Sequence, residues 1–408
     1  MADSVAPLSP SPSPASGRGE QRIRLAIVRS RYNPFGGAER FVERTLAALD
    51  EHDIDVTLVA RKWAGQPAQS AWHLLRCDPF HIGRVWRDWG FARAVQRLIG
   101  AGRFDLVQSH ERIAGCDLFR AGDGVHASWL QLRARTLSPL SRWAQRVSPW
   151  HRYTLAAEDA MFRSPRLRAV ICNSRMVRDD LAARYPALQS RLHLLYNGVD
   201  LTRFNLQLRD QHRAALRERL GVSEAQPVIL YVGSGFERKG VAPLLQALAR
   251  AELAGAELWL IGKDKAQPRF ERLAQRLGVA GRVRFLGAQQ DVTPYLGAAD
   301  VFALPTLYDP LPNAALEALA SGLPLLTSSS CGAAELIAGR DCGVVCDALD
   351  AGAIASGLAH LLAAATDAQA LPALRADAHA AVSALSLPAM AAAQLALYRA
   401  LLGTVHRN

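Results

Sequence analysis

Three clusters of residues in this 408-residue chain have the types and spacing to handle an anionic, hydroxyl-rich ligand. In Gly233-Ser234-Gly235-Phe236-Glu237-Arg238-Lys239-Gly240, two adjacent cations lie between an apolar run and a segment of helical spacing. The phosphates of a nucleotide would lie at such a strand-to-helix turn, where Arg grips with a planar fork and Lys acts as a point charge. The turn is not a P-loop, because GxxxxGK[ST] is absent. The second cluster spans Asp309-Pro310-Leu311-Pro312-Asn313 and a helix expected over 314–321, with Glu317 one turn inside it and Asn313 as its expected N-cap. Carboxylates eight residues apart, one on a loop and one on a helix, cannot share a helix face as metal ligands would. They suit hydroxyl groups at two ends of a ligand, with the free amides of the helix start between them for phosphate. The third cluster is Gly36-Gly37 before another helical segment, where amide donors can approach an anion or a sugar closely.

The elements that must position these clusters repeat. Residues 23–29 and 227–232 are short apolar runs, each followed by a glycine turn and then helical periodicity. This is the opening unit of a doubly wound parallel sheet. Further strands are expected at 56–60, 106–108 and 169–172 in the first half, and at 257–261, 283–286, 301–304 and 323–327 in the second. One sheet does not absorb them all. The expected fold is therefore α/β, with two Rossmann-like domains facing across a cleft. The boundaries read as a disordered Ser/Pro-rich tail at 1–20, a first domain at 21–204, a second at 205–380 and a C-terminal helix at 381–408. Leu387, Met390, Leu397, Tyr398 and Leu401 fall on one face of that helix, which could pack back on the first domain.

Composition narrows the function further. Half the chain is hydrophobic and 21% is charged, as in ordinary globular proteins. No apolar run reaches the ~18–20 residues of a membrane span, and no apolar stretch reads as a secretory signal. Six scattered cysteines carry no paired metal spacing, which fits a reduced, cytoplasmic protein. Of the net charge of +11, residues 1–205 carry all: 30 Lys and Arg against 19 acids, while the remainder holds 18 of each. Between Asp123 and Glu158 there is no acid, and Trp129, Trp143 and Trp150 interleave with Arg133, Arg135, Arg142 and Arg146. Arg with interfacial Trp is how a surface helix meets anionic headgroups. Trp129, Arg133, Arg135, Arg142, Trp143 and Arg146 are thus the expected acceptor or membrane face. No nucleic-acid-binding motif accompanies the charge. Neither glycine turn reads GxGxxG, so nicotinamide binding is not expected.

Several segments together resemble the retaining glycosyltransferases of family 4, which have the GT-B fold: NPFGGAER, GCDLFRAGD, YNGVD, GSGFERKG and PTLYDPLPNAALEALASGLPLLTSSSCGAAELI. The similarity runs from Arg24 to Ile337, and within the family it points toward transferases of lipopolysaccharide core assembly. The family's E-x7-E motif falls on Asp309 and Glu317, with Asp one methylene shorter than the usual first Glu.

The resemblance implies that Arg238 and Lys239 hold the diphosphate of a nucleotide sugar, Glu317 the ribose and Asp309 the sugar. Leu311, Pro312 and Asn313 would add contacts, Gly36 and Gly37 would approach from the other domain, and the base would lie near residues 284–287. It implies a hexose moved with retention from a nucleotide sugar such as UDP-glucose to an anionic, lipid-linked glycan of the lipopolysaccharide core, with peripheral contact at the cytoplasmic face of the inner membrane. An exopolysaccharide lipid carrier is the alternative acceptor, and nucleotide-sugar 2-epimerisation the alternative chemistry. No cofactor and no metal are expected, since cations and helix amides would neutralise the leaving diphosphate. Asp123 and His126 are the catalytic candidates, with His110 and Glu111 behind them.

Overall fold

The computed structural model describes residues 23–32, 54–63 and 73–403. Gly36, Gly37 and the helical segment after them lie outside the described residues, as does the N-terminal tail. Among the described residues, two parallel sheets form, one per domain, and the expected pair of Rossmann-like units is present.

The first sheet has the order β3-β2-β1-β4-β5-β6-β7. Its strands are β1 (Ile23–Tyr32), β2 (Ile54–Trp63), β3 (His73–Arg76), β4 (Leu106–Ser109), β5 (Leu118–Arg120), β6 (Ala169–Cys172) and β7 (Leu192–Leu194). The second has the order β10-β9-β8-β11-β12-β13. It is built from β8 (Val228–Val232), β9 (Glu257–Ile261), β10 (Val283–Gly287), β11 (Val301–Leu304), β12 (Leu325–Ser328) and β13 (Gly343–Cys346). The inner strands are nearly unbroken apolar runs because helices cover both faces of a parallel sheet. Strand order reverses between β1 and β4 in one sheet and between β8 and β11 in the other. Ligands of open α/β sheets bind outside the carboxyl ends of the strands at such switch points. Here both switch points open onto one cleft.

Four strands escape the sequence reading: β3, β5, β7 and β13. Each is short, and a polar residue or glycine interrupts its apolar run: His73 and Arg76 in β3, Arg120 in β5, His193 in β7 and Gly343 in β13. The omission of β5 matters most, since it delivers Asp123 and His126 to the cleft.

After β7 the chain crosses into the second domain, where helix Leu208–Leu220 is tied beneath the sheet. Arg213 and Arg217 donate to the buried Asp300 at 2.9 and 2.7 Å, and Asp300 also accepts the Val228 amide. Pro372 and Pro388, which interrupt the helical pattern, stand in the first turns of helices Leu371–Ala380 and Leu387–Gly403. There their missing N–H costs nothing. The last helix crosses back to the first domain. Met390, Leu395, Tyr398 and Leu402 are buried against Leu25, Ile27, Leu58 and Leu106, and the Tyr398 hydroxyl donates to Gln108 of β4 at 2.7 Å. No described helix is long and apolar enough to cross a membrane.

Candidate active site

The turn after β8 and the loop after β11 are laced together by backbone. The Arg238 carbonyl accepts the Leu307 amide at 2.8 Å and the Thr306 hydroxyl at 3.1 Å. Asp309, only 7% exposed, is held through its own backbone by Ser330 and Gly332. Its carboxylate meets Lys239 Nζ at 3.3 Å and Arg238 Nη1 at 3.4 Å, while Arg238 also donates to the Tyr308 carbonyl at 2.7 Å. One carboxylate thus holds two cations at the same point. Gly233 leaves the room they need, since a methyl group there would lie 2.8 Å from Lys239 Cδ.

Helix Asn313–Ala320 opens beside them. Its N-cap is Pro312, and no side chain caps it, which corrects the expected role of Asn313. The Asn313 side chain instead accepts from Asn197 Nδ2 at 2.8 Å, and Asn197 also donates to the Leu311 carbonyl at 3.1 Å. The first amides of the helix are left for a ligand.

Arg238, Lys239, Asp309, Leu311, Pro312, Asn313, Glu317 and Asp123 all line one cavity of about 350 Å3 between the domains. Arg29 and Arg120 at the ends of β1 and β5 add cations that the sequence reading missed; nothing in their spacing marks them. His110 lines the same cavity, its pKa well below the usual histidine value through burial and then the charges of Arg29 and Arg120. Residues 284–287 are not among its lining: Arg284 is engaged by Glu257.

A second cavity, of about 450 Å3, adjoins the first on the side of the first domain. Glu111, Gly122, Asp123, Arg238 and Asp309 line both, so Asp123 stands where they meet. His126 and Trp129 line the second, with Trp150, Tyr153 and Tyr308. The Gly122–His126 loop is clamped from three sides. The buried Glu158 accepts the His126 amide at 3.0 Å and pairs with Arg112 at 2.7 Å. Arg112 donates to the Gly124 carbonyl at 3.2 Å. From the other domain, the Tyr308 hydroxyl accepts the Val125 amide at 2.7 Å. Gly124 has φ +67°, and any Cβ there would meet that hydroxyl, so the approach requires glycine. The His126 ring contacts His151 at 3.1 Å. Burial first, then Arg112 and His151, lower its pKa to about 4, so the imidazole is neutral at pH 7.

The expected acceptor or membrane face divides. Trp129 turns into the second cavity, and Arg133 lies near His151. Arg135, still exposed, reaches across the domains and pairs with Asp347 at 2.8 Å. Arg142, Trp143 and Arg146 do lie on the surface, on helix Pro139–Val147, which buries none of its residues. Leu140, Trp143 and Val147 share one side of it and are 75, 62 and 44% exposed. A second apolar patch, absent from the sequence reading, comprises Phe80, Ile82, Trp86 and Trp89. Both helices that carry these patches pack against helix Pro149–Phe162.

Two facing Rossmann-like domains with a cation-lined cleft between their switch points define a GT-B transferase. Residues 35–203 match the family described as Glycosyltransferase Family 4, and residues 226–364 that described as Glycosyl transferases group 1. The chain is 37% identical to the lipopolysaccharide core biosynthesis glycosyltransferase LpsE of Rhizobium meliloti over 83% of its own length and 89% of that protein's. It is 27% identical to the lipopolysaccharide glucosyltransferase WaaG of Escherichia coli over 79 and 84% of the two chains. The crystal structure of WaaG superposes with a TM-score of 0.76 over 91% of this chain and 98% of that one. Anabaena HepE, solved with UDP-glucose, shares the fold at a TM-score of 0.67 and 18% identity, over 95 and 100% of the two chains. The chain belongs to glycosyltransferase family 4 and is a glycosyltransferase close to those of the lipopolysaccharide core.

Proposed function

We propose that this chain transfers a hexose, with retention, from a nucleotide sugar of the UDP-glucose type to a lipid-linked glycan of the lipopolysaccharide core. One observation carries the reading. Arg238, Lys239, Asp309 and Glu317 from one domain share a cavity with Asp123 from the other, and a second cavity opens beside Asp123 for an acceptor. The diphosphate would lie on Arg238, Lys239 and the first amides of helix Asn313–Ala320, Glu317 would take the ribose and Asp309 the sugar. HepE, whose structure holds UDP-glucose in the same fold, supports that donor class.

The bond between the sugar's anomeric carbon and the diphosphate oxygen breaks as the acceptor oxygen bonds that carbon on the same face. The acceptor's proton passes to the departing diphosphate oxygen. Cations and helix amides fixed in place stabilise the charge that develops there, so transfer should survive a chelator. Asp123 lies where the positive anomeric centre and the incoming hydroxyl would meet, and neutral His126 would hydrogen-bond the acceptor. The exposed Trp and Leu of helix Pro139–Val147, edged by Arg142 and Arg146, would rest on anionic lipid at the cytoplasmic face of the inner membrane.

Calorimetric titration with UDP, several UDP-sugars and a GDP-sugar tests the donor reading. Binding of one UDP-sugar, lost in Arg238→Ala, is expected; binding of none would overturn it. For the membrane face, Arg142→Glu with Arg146→Glu should cut partitioning onto phosphatidylglycerol vesicles at least about thirtyfold, at roughly 1 kcal/mol per Arg near the surface.

A further inference from the structure

We infer that a third cleft in the first domain is a subsite for an anionic substituent of the acceptor, a phosphate or a carboxylate; this deepens the proposed function and rests on it. The cleft, of about 280 Å3, is lined by Ser30, Arg31, Arg61, Arg84, Arg87 and Trp150. Ser30 and Arg31 end β1, and Arg61 lies near the end of β2. The cleft therefore opens on the carboxyl side of the sheet, where ligands of this architecture bind. Ser30, Arg87 and Trp150 line the acceptor-side cavity too, which makes the two clefts continuous. None of its lining residues belongs to the donor cavity.

Its charge is unbalanced. Arg61, only 3% exposed, pairs with Asp78 at 2.9 Å, and Asp78 also faces Arg76 at 3.9 Å. Arg87 pairs with Asp88 at 2.7 Å, and Asp88 accepts the Trp150 indole N–H at 2.9 Å. Among the described residues, Arg31 and Arg84 have no carboxylate partner, and Arg84 lies 5.7 Å from the centre of the Trp150 ring. Four guanidinium groups thus meet two carboxylates at pairing distance and a third, Glu111, which accepts the Ser30 amide at 2.8 Å and acts on Arg87. The excess of about one positive charge matches a carboxylate and partly offsets a phosphate monoester, about −1.5 to −2 at neutral pH. The planar forks suit phosphate and carboxylate oxygens, and Arg stays charged at every physiological pH. Trp86 and Trp89 point outward from the helix that supplies Arg84 and Arg87. An acceptor rising from a bilayer would pass this cleft before reaching Asp123.

The test uses the full-length protein with UDP saturating the donor cavity, titrated calorimetrically with glucose 6-phosphate, galacturonate and glucose. The two anionic sugars should bind at least tenfold more tightly than glucose. Arg31→Gln with Arg84→Gln should cost that tenfold while UDP affinity holds. Equal affinity for all three sugars, or unchanged binding in the variant, overturns the subsite. Phosphatidylglycerol and phosphatidylcholine vesicles separate the other source of phosphate. If the variant loses only its preference for phosphatidylglycerol and still binds glucose 6-phosphate normally, the cations serve the bilayer and the subsite is overturned. Failure of the wild-type protein to bind UDP would instead overturn the donor reading.

Discussion

The two domains share a strand order, yet they build their halves of the site in opposite ways. In the second domain the cations are neighbours at 238 and 239, and the carboxylates lie eight residues apart around one helix start. Two loops, after β8 and β11, supply nearly all of it, and one continuous core stands beneath them. In the first domain the lining residues come from the ends of β1, β4 and β5 and from three helices, and its two core clusters lie on opposite faces of the sheet. A nucleoside diphosphate presents the same short pattern of charges in every reaction, and a local motif can hold it. On the proposed reading an acceptor is larger and more variable, and its site would be assembled from many elements. The excess positive charge and the exposed aromatic patches lie in this domain as well.

The sharpest way to break the comparison is Lys239→Ala. Removing one preorganised cation should lower turnover by about 10²–10³-fold and weaken UDP binding, with the folded signature by circular dichroism retained. Near-normal turnover would mean the second domain does not hold the diphosphate.

Asp123→Asn should lower kcat by about 10²-fold, the low end for a positioned acid or base, while UDP affinity stays within twofold. Loss of UDP binding here would erase the division of labour between the domains.

Tyr308→Phe tests the joint where the loops of the two domains touch. It leaves the Val125 amide without its acceptor, at about 1–3 kcal/mol for a buried unsatisfied group. Thermal stability should fall, and kcat should fall more than UDP affinity, because the Asp123 loop is loosened while the diphosphate contacts remain. Equal losses in both would mean that Tyr308 acts on the donor directly.

A pH dependence between about 6.5 and 4 belongs to the histidines of the first domain. Burial lowers the pKa of His126 to about 4, below the unfolded value near 6.5. Between these values the unfolded chain takes up a proton that the folded chain does not. Stability should therefore fall as pH drops from 6.5 toward 4, and His126 should contribute no slope above 6.5. The burial of His110 and the partial burial of His151 add in the same direction. In a series of melting temperatures against pH, His126→Asn should flatten this acid slope. An unchanged slope would show the imidazole to be solvated.

The two-sheet α/β architecture is legible in the sequence alone, because apolar strand runs, glycine turns and helical periods are local patterns that survive without neighbours. The second-domain cluster is legible for the same reason: Arg238 and Lys239 follow one legible strand, and Asp309 and Glu317 follow another. The rest depends on how the elements pack. A three-residue strand such as β5 has no period to read, so the strand that delivers Asp123 emerges only from its pairing with β4 and β6. Arg29 and Arg120 join the cavity between the domains, and Arg135 pairs with Asp347, through the way the domains face each other. That orientation is set by contacts such as Tyr308 with Val125, and Glu335 with the Arg175 amide at 2.9 Å, between residues 183 and 160 positions apart. No local pattern encodes a contact at that separation, because its geometry depends on every element folded between.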